Sequence, residues 1–142
     1  MSEVPNRRKL SRADAQRTPY LLWNAMIDLV ATTPLDRLTP IQRVAALAFW
    51  YEAEVQNGGH RDYFDSPHGR FAPETLDALS EMGALQQRQV LEKALAGRGA
   101  SMGFEALDAA YEDCEPTMNE LLQRWLVTHL EEFIELAEQE GA

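Results

Sequence analysis

The sequence predicts an all-α protein: a single-domain, irregular bundle of about six helices with a long acidic C-terminal helix. Three observations lead there. Apolar residues recur at steps of three, four and seven, which line one side of a helix. Threonine–proline pairs and glycines punctuate the chain at the spacing of helix starts and stops. Alternating Val, Ile, Thr and aromatic runs bounded by turns are absent, so no sheet is expected, and no longer repeat suggests a solenoid.

Residues 1–17 are polar, basic and without periodicity, and are expected to be a mobile basic arm ahead of a single helical domain over 18–142. Thr18-Pro19 supplies an N-cap and a first-turn proline for a helix to about Ala31, burying Leu22, Ala25, Met26 and Leu29. Thr39-Pro40 repeats that signal, and Gln42 completes a capping-box pattern with Thr39. The second helix should run from Ile41 to about Gln56, where Asn57-Gly58-Gly59 stops it. Between Ala45 and Tyr51 its only polar side-chain group is the Tyr51 hydroxyl, so it should be buried on most sides at the centre of the fold. A short aromatic segment, His60 to Asp65, and a loop to Arg70 follow. Further helices are expected over Glu74–Met82, closed by Gly83, over Leu85–Leu95 and over Phe104–Tyr111. Pro116 should open the last and longest, to about Glu138.

A chain of 142 residues with 45% hydrophobic content can bury a continuous core without staples. The lone Cys114 leaves no intramolecular disulfide and no cysteine-based zinc site. No apolar run reaches membrane-spanning length and no signal-peptide core follows the basic start, so a cytoplasmic protein is expected. Charge is distributed unevenly. From Glu105 to Ala142 there are eleven Asp and Glu residues and one base, Arg124. Bases gather instead at Arg7, Arg8, Lys9, Arg12 and Arg17. A field this one-sided repels nucleic acid and acidic membranes, and attracts basic partners over a Debye length of roughly 8–10 Å.

The run Glu52-Ala-Glu54-Val55-Gln56-Asn57-Gly58-Gly59, followed by Tyr63-Phe64, resembles a motif of a bacterial all-helical family. That family is named after a DNA-mimic protein and is otherwise a domain of unknown function. Leu76-Asp-Ala-Leu79 and Met82-Gly83-Ala84 extend the resemblance, which covers Leu38 to Ala96. The chain departs from the pattern at His60, where the family tends to have an aromatic residue, and at Asp62, where it tends to have Gln. The resemblance implies an all-α fold, often a dimer and, for the namesake, an acidic surface that occupies the DNA-binding face of a transcriptional regulator. Physically, the motif reads first as structure: Asn57 and the two glycines turn the chain, and Tyr63 and Phe64 pack back on the central helix.

Other residues offer chemistry. Glu52 shares the stripe of Ile41, Ala45, Ala48 and Val55, where a carboxylate needs a partner. Backbone N–H groups of the next loop, or Arg43, Arg61 or Arg70, would satisfy it; the alternative is a site acid. His60, Asp62, Asp65 and His68 are metal-ligand types without the spacing of a helical metal motif. Cys114 lies among Glu112, Asp113 and Glu115, which oppose thiolate formation. Phosphate loops, zinc-finger spacings and dinucleotide fingerprints are absent.

In the last helix, Met118, Leu121, Leu122, Trp125, Leu126, His129, Leu130 and Phe133 share one side. Glu120, Glu131, Glu135 and Glu138 fall opposite, a stripe expected to dock basic protein as duplex DNA does, with about one charge per 1.7 Å. The leading expectation is therefore a non-enzymatic DNA mimic without cofactor or metal, whose partner is a basic DNA-binding protein and which does not itself bind nucleic acid or membrane. Two alternatives stand: a small-molecule or metal-dependent enzyme built on Glu52 and the His60–His68 loop, and a helical accessory domain whose acidity serves solubility only.

Overall fold

The structure, a computed structural model, describes residues 7–98 and 103–137. In chain order these form β1 (Arg8–Ser11), α1 (Arg12–Arg17), α2 (Tyr20–Thr32), a 3-10 turn (Leu35–Arg37) and α3 (Pro40–Asp65). A second 3-10 turn (Pro67–Phe71), α4 (Ala72–Glu81), α5 (Leu85–Ala96), α6 (Glu105–Glu112), α7 (Met118–Thr128), α8 (Leu130–Phe133) and β2 (Ile134–Ala137) complete them. The all-α expectation holds for the body of the fold.

Helix α3 is the axis on which α2, α4, α6, α7 and α8 pack. Its N-terminus carries the expected capping box: Gln42 N–H donates to Thr39 Oγ1 (3.2 Å) and Thr39 N–H to Gln42 Oε1 (2.9 Å). Ala45, Ala46, Leu47, Ala48, Tyr51 and Val55 are buried, the alanines letting α2, α4, α6 and α7 approach closely. The core joins these residues to Met26 and Val30 of α2, Leu79 of α4, Leu91 of α5, Tyr111 of α6 and Leu122 of α7. Helix α4 ends in a Schellman motif: Ala84 N–H donates to Leu79 O (2.8 Å), Gly83 N–H to Ser80 O (3.1 Å), and Gly83 takes φ +77°.

Several expectations need correction. The glycines do not end α3 but kink it, and the aromatic segment His60–Asp65, placed after the helix, is its continuation. Thr18 does not cap α2, which starts at Tyr20 behind Pro19 with no side-chain cap. Within the basic arm placed at residues 1–17, residues 8–17 form β1 and α1. Most consequentially, the long acidic C-terminal helix is not formed. Pro116, preceded by a cis peptide bond, precedes α7, which is capped by Thr117 and Glu120 and ends at Thr128. His129 is non-helical (φ −121°, ψ 40°), and the chain passes through α8 into β2.

The beginning of α3 supplies the reason. Gln42, fully buried, donates from Nε2 to Glu132 O (2.7 Å), Thr39 Oγ1 donates to Glu132 Oε1 (2.9 Å), and Trp125 Nε1 to Ile41 O (3.0 Å). These bonds fix the chain after α7 against Thr39–Gln42. Continuing the helix would instead have stacked Glu131 over Glu135 and brought acids to a negative helix terminus, both unfavourable. Strand β2 then pairs in parallel with β1, Lys9 opposite Glu135 and Leu10 opposite Leu136, so a two-stranded ribbon exists where no sheet was expected.

Candidate functional site

Two regions compete for a functional role: the buried polar chemistry around the α3 kink and the acidic surface. The kink comes first. Gly58 has φ −160°, which any residue adopts, whereas Gly59 has φ +78°. A Cβ on Gly59 would lie 2.3 Å from Asp108 Oδ2. Only glycine fits, and the close approach lets Asp108 of α6 receive the next residue. His60 donates to Asp108 Oδ1 twice, from its backbone N–H (2.9 Å) and from Nδ1 (2.6 Å). With the carboxylate accepting at Nδ1, Nε2 must accept, and Tyr51 O–H donates to it across 2.7 Å. His60 and Tyr51 are fully buried, among Tyr63, Phe104 and Tyr111. In the Tyr51–His60–Asp108 chain the Tyr51 hydroxyl and both His60 ring nitrogens are matched. Tyr63, donating to Thr75 Oγ1 (3.3 Å), packs edge-on to Tyr51 before the kink, and Phe64 packs on Phe104.

Glu52 takes none of its expected partners. It accepts a short hydrogen bond from the Tyr111 hydroxyl, while Arg43 donates to Leu38 O. Burial raises the Glu52 carboxyl above its usual range, the Tyr111 bond opposing that rise and Glu112 adding to it. Glu52 lines a cleft of about 420 Å³ with Gln56, Glu112 and Asn119. The His60–His68 residues do not converge there. His68 lies flat on Trp50 (4.4 Å between centroids) with Nδ1 3.3 Å from Glu54 Oε2, and Asp62 accepts from Asn57 Nδ2 (3.3 Å). Among the described residues no group of three or more His, Cys, Asp or Glu is arranged to hold a metal. Cys114 is buried beside Ala110 O, and burial first, then Asp113, pushes its thiol up.

These environments give stability a pH dependence. Burial lowers the His60 imidazole below its ordinary range, outweighing the opposing pull of Asp108. The unfolded chain therefore binds the proton better, and His60's contribution, complete above roughly pH 6.5, is lost as pH falls from there through the lower value of the folded state. Glu52, raised in the fold, acts in the opposite sense and becomes less unfavourable as it protonates on acidification. Glu52→Gln is expected to raise the melting temperature at about pH 7 and to steepen its fall towards about pH 5; His60→Gln should flatten that fall. Melting curves across this range check both, and parallel curves for parent and variants would contradict them.

The predicted acidic stripe is redistributed by the broken helix. Glu120 is the capping-box residue of α7, with Oε1 accepting from Thr117 N–H (2.9 Å). Glu131 lies in α8, where its backbone oxygen accepts from Arg7 Nη1 (2.8 Å). Glu135 lies in β2 opposite Lys9, and Glu138 is outside the described residues. Glu120, Glu131 and Glu135 are all exposed, but the last two have the chain's own bases beside them. The acids without such neighbours in sequence belong to α6 and the turn after it. Glu105, Glu112, Asp113 and Glu115 are exposed, and no Lys, Arg or His occurs from Gly103 to Gln123. Their signal was present in the local charge, which the prominence of the last helix concealed.

The family model described as DMP19-like protein matches residues 36–129. This chain belongs to the DMP19-like protein family. At family level it is thus a DNA-mimic-type helical protein, as the motif resemblance implied. The match runs from the first 3-10 turn to the end of α7, so it contains the α3 kink, α6 and α7. The ribbon of β1 and β2 lies outside it. No curated protein and no solved structure matches the chain. Among the described residues no helix is long and apolar enough to cross a membrane.

Proposed function

We propose that this DMP19-like protein is a non-enzymatic, cytoplasmic DNA mimic that occupies the basic DNA-binding face of a regulator or another DNA-binding protein. The observation that carries the reading is an exposed acidic run, Glu105 to Glu120, with no base inside it, in a chain that belongs to this family. Fixed carboxylates on packed helices offer a basic groove the dense negative charge it would otherwise find on phosphates. Glu120 anchors one end of this surface, and Glu131 and Glu135 extend it. The buried Tyr51–His60–Asp108 chain serves the fold in this account: Tyr51 and His60 are fully buried.

Affinity capture from the native lysate at low and high salt tests the proposal, followed by competition with the captured regulator's operator DNA. Release of this protein by the operator is the expected outcome; a complex holding both at once would exclude a shared surface. Direct DNA binding is not expected, because the basic segment is already engaged. Arg8 pairs with Asp28, Arg7 bonds Glu131 O, and Lys9 faces Glu135. A mobility-shift assay with duplex DNA at about 0.1 M salt should show no retarded band.

A further inference from the structure

A groove of about 730 Å³ on the opposite flank of α3 from the Glu52 cleft's lining is walled by Trp50, His68 and Phe71, with Pro34, Leu35 and Pro67. Its volume falls in the range of small-molecule sites, roughly 300–1,000 Å³. The Trp50 indole N–H is spent on Val30 O (3.1 Å), and His68 lies flat on the indole ring. Phe71 sits 6.1 Å from Trp50 at a tilt of 43°. Trp50 therefore offers the groove aromatic surface whose N–H is already satisfied, suited to a flat ring.

The charges in the groove narrow the ligand. Arg43 and Arg70 both line it, and neither has a carboxylate within ion-pairing distance among the described residues. Arg43 donates only to Leu38 O, and the Arg70 guanidinium lies 4.8 Å over the Phe71 ring. In a protein of net charge −10, two guanidiniums that form no ion pair beside one aromatic groove keep donors for an anion. Asp36 and Glu74 also line the groove. They equal the two arginines in number, so the groove holds no surplus positive charge for a second anionic group.

We propose that this groove binds a small aromatic monocarboxylate, its ring on the Trp50–Phe71 wall and its carboxylate on Arg43 and Arg70. This site is separate from the acidic surface and does not depend on DNA mimicry. Calorimetric titration with 2-naphthoate tests it, with neutral 2-naphthol and the dianion 2,6-naphthalenedicarboxylate as comparisons. Saturable binding of 2-naphthoate with a Kd of roughly 0.1–1 mM is expected, with both comparisons about tenfold or more weaker. The Arg43→Gln/Arg70→Gln double variant should lose about tenfold in affinity for 2-naphthoate and none for 2-naphthol. Indole N–H resonances of the parent protein give a second reading that needs no variant: Trp50 should shift on titration while Trp23 and Trp125 stay. Equal binding of naphthoate and naphthol, an unaffected double-Gln variant, or a stationary Trp50 resonance would overturn the assignment.

Discussion

Gly59→Val is expected to destabilise the protein by on the order of 3–5 kcal/mol, far more than the same substitution one residue earlier. Two costs add. Gly59 has φ +78°, a region that a β-branched residue occupies only under strain of about 1–3 kcal/mol. Its new Cβ would also fall 2.3 Å from Asp108 Oδ2 and 2.9 Å from Cγ, so the carboxylate must leave. That strips the acceptor from two His60 donors, one of them on a fully buried ring, at about 1–3 kcal/mol for an unsatisfied group. Gly58→Val meets only the movable Asp62 carboxylate and has no positive φ, so it should cost less than about 1.5 kcal/mol. For a chain of this size the Gly59 variant should melt about 10 °C or more below the parent. Asp108→Ala supplies the control, removing the acceptor without backbone strain, and should fall between the two glycine variants. Thermal melts decide, and a Gly59→Val protein melting within a few degrees of the parent would dismiss the proposed role of the kink.

Charge reversal should produce the largest effect on association. Converting Glu112, Glu115 and Glu120 to Lys changes the base-free acidic run by six units while touching only exposed side chains. Folding should survive with a cost of about 1 kcal/mol, chiefly from the lost Glu120 capping bond. Association with the captured DNA-binding protein should slow about 10–100-fold at low ionic strength and lose most of its salt dependence. Reversing Glu131 and Glu135 should slow it less per charge, because Arg7 and Lys9 already offset that end. The reversed Glu135 would also confront Lys9 across the ribbon, so ribbon integrity must be checked alongside the rates. Association rates measured against salt for both variants separate these contributions. Identical rates for parent and triple variant would rule out guidance by this surface.

How far the sequence reaches can be read from particular residues. The capping boxes at Thr39 and Thr117, the stop at Gly83 and the alanine-rich apolar run of α3 are local chemistry. Each element's start and buried side follow from residues a few positions apart, which is why the α-helical class and most helix positions were legible. The Asn-Gly-Gly motif was legible too, though as a stop instead of a kink: dihedral freedom is local, but the direction taken depends on what receives the chain.

What sequence alone determined, then, is the helical class, the order of its main helices, the family through its motif and the separation of acidic from basic charge. Tertiary structure decided the rest through contacts between distant residues. Asp108 lies 48 positions from His60 and Tyr111 59 from Glu52, so neither pairing leaves a periodic trace. Thr39 and Gln42 hold Glu132 from 93 and 90 positions away, and that anchoring ends the last helix where amphipathic spacing would have continued it. Strands of four residues at the two ends of the chain pair only once the helices have brought them together, and with them the basic segment comes to lie on the acidic one. Local propensity contributes a fraction of a kcal/mol per residue, whereas satisfying a buried polar group is worth about 1–3 kcal/mol, so where the two conflicted the distant partner prevailed.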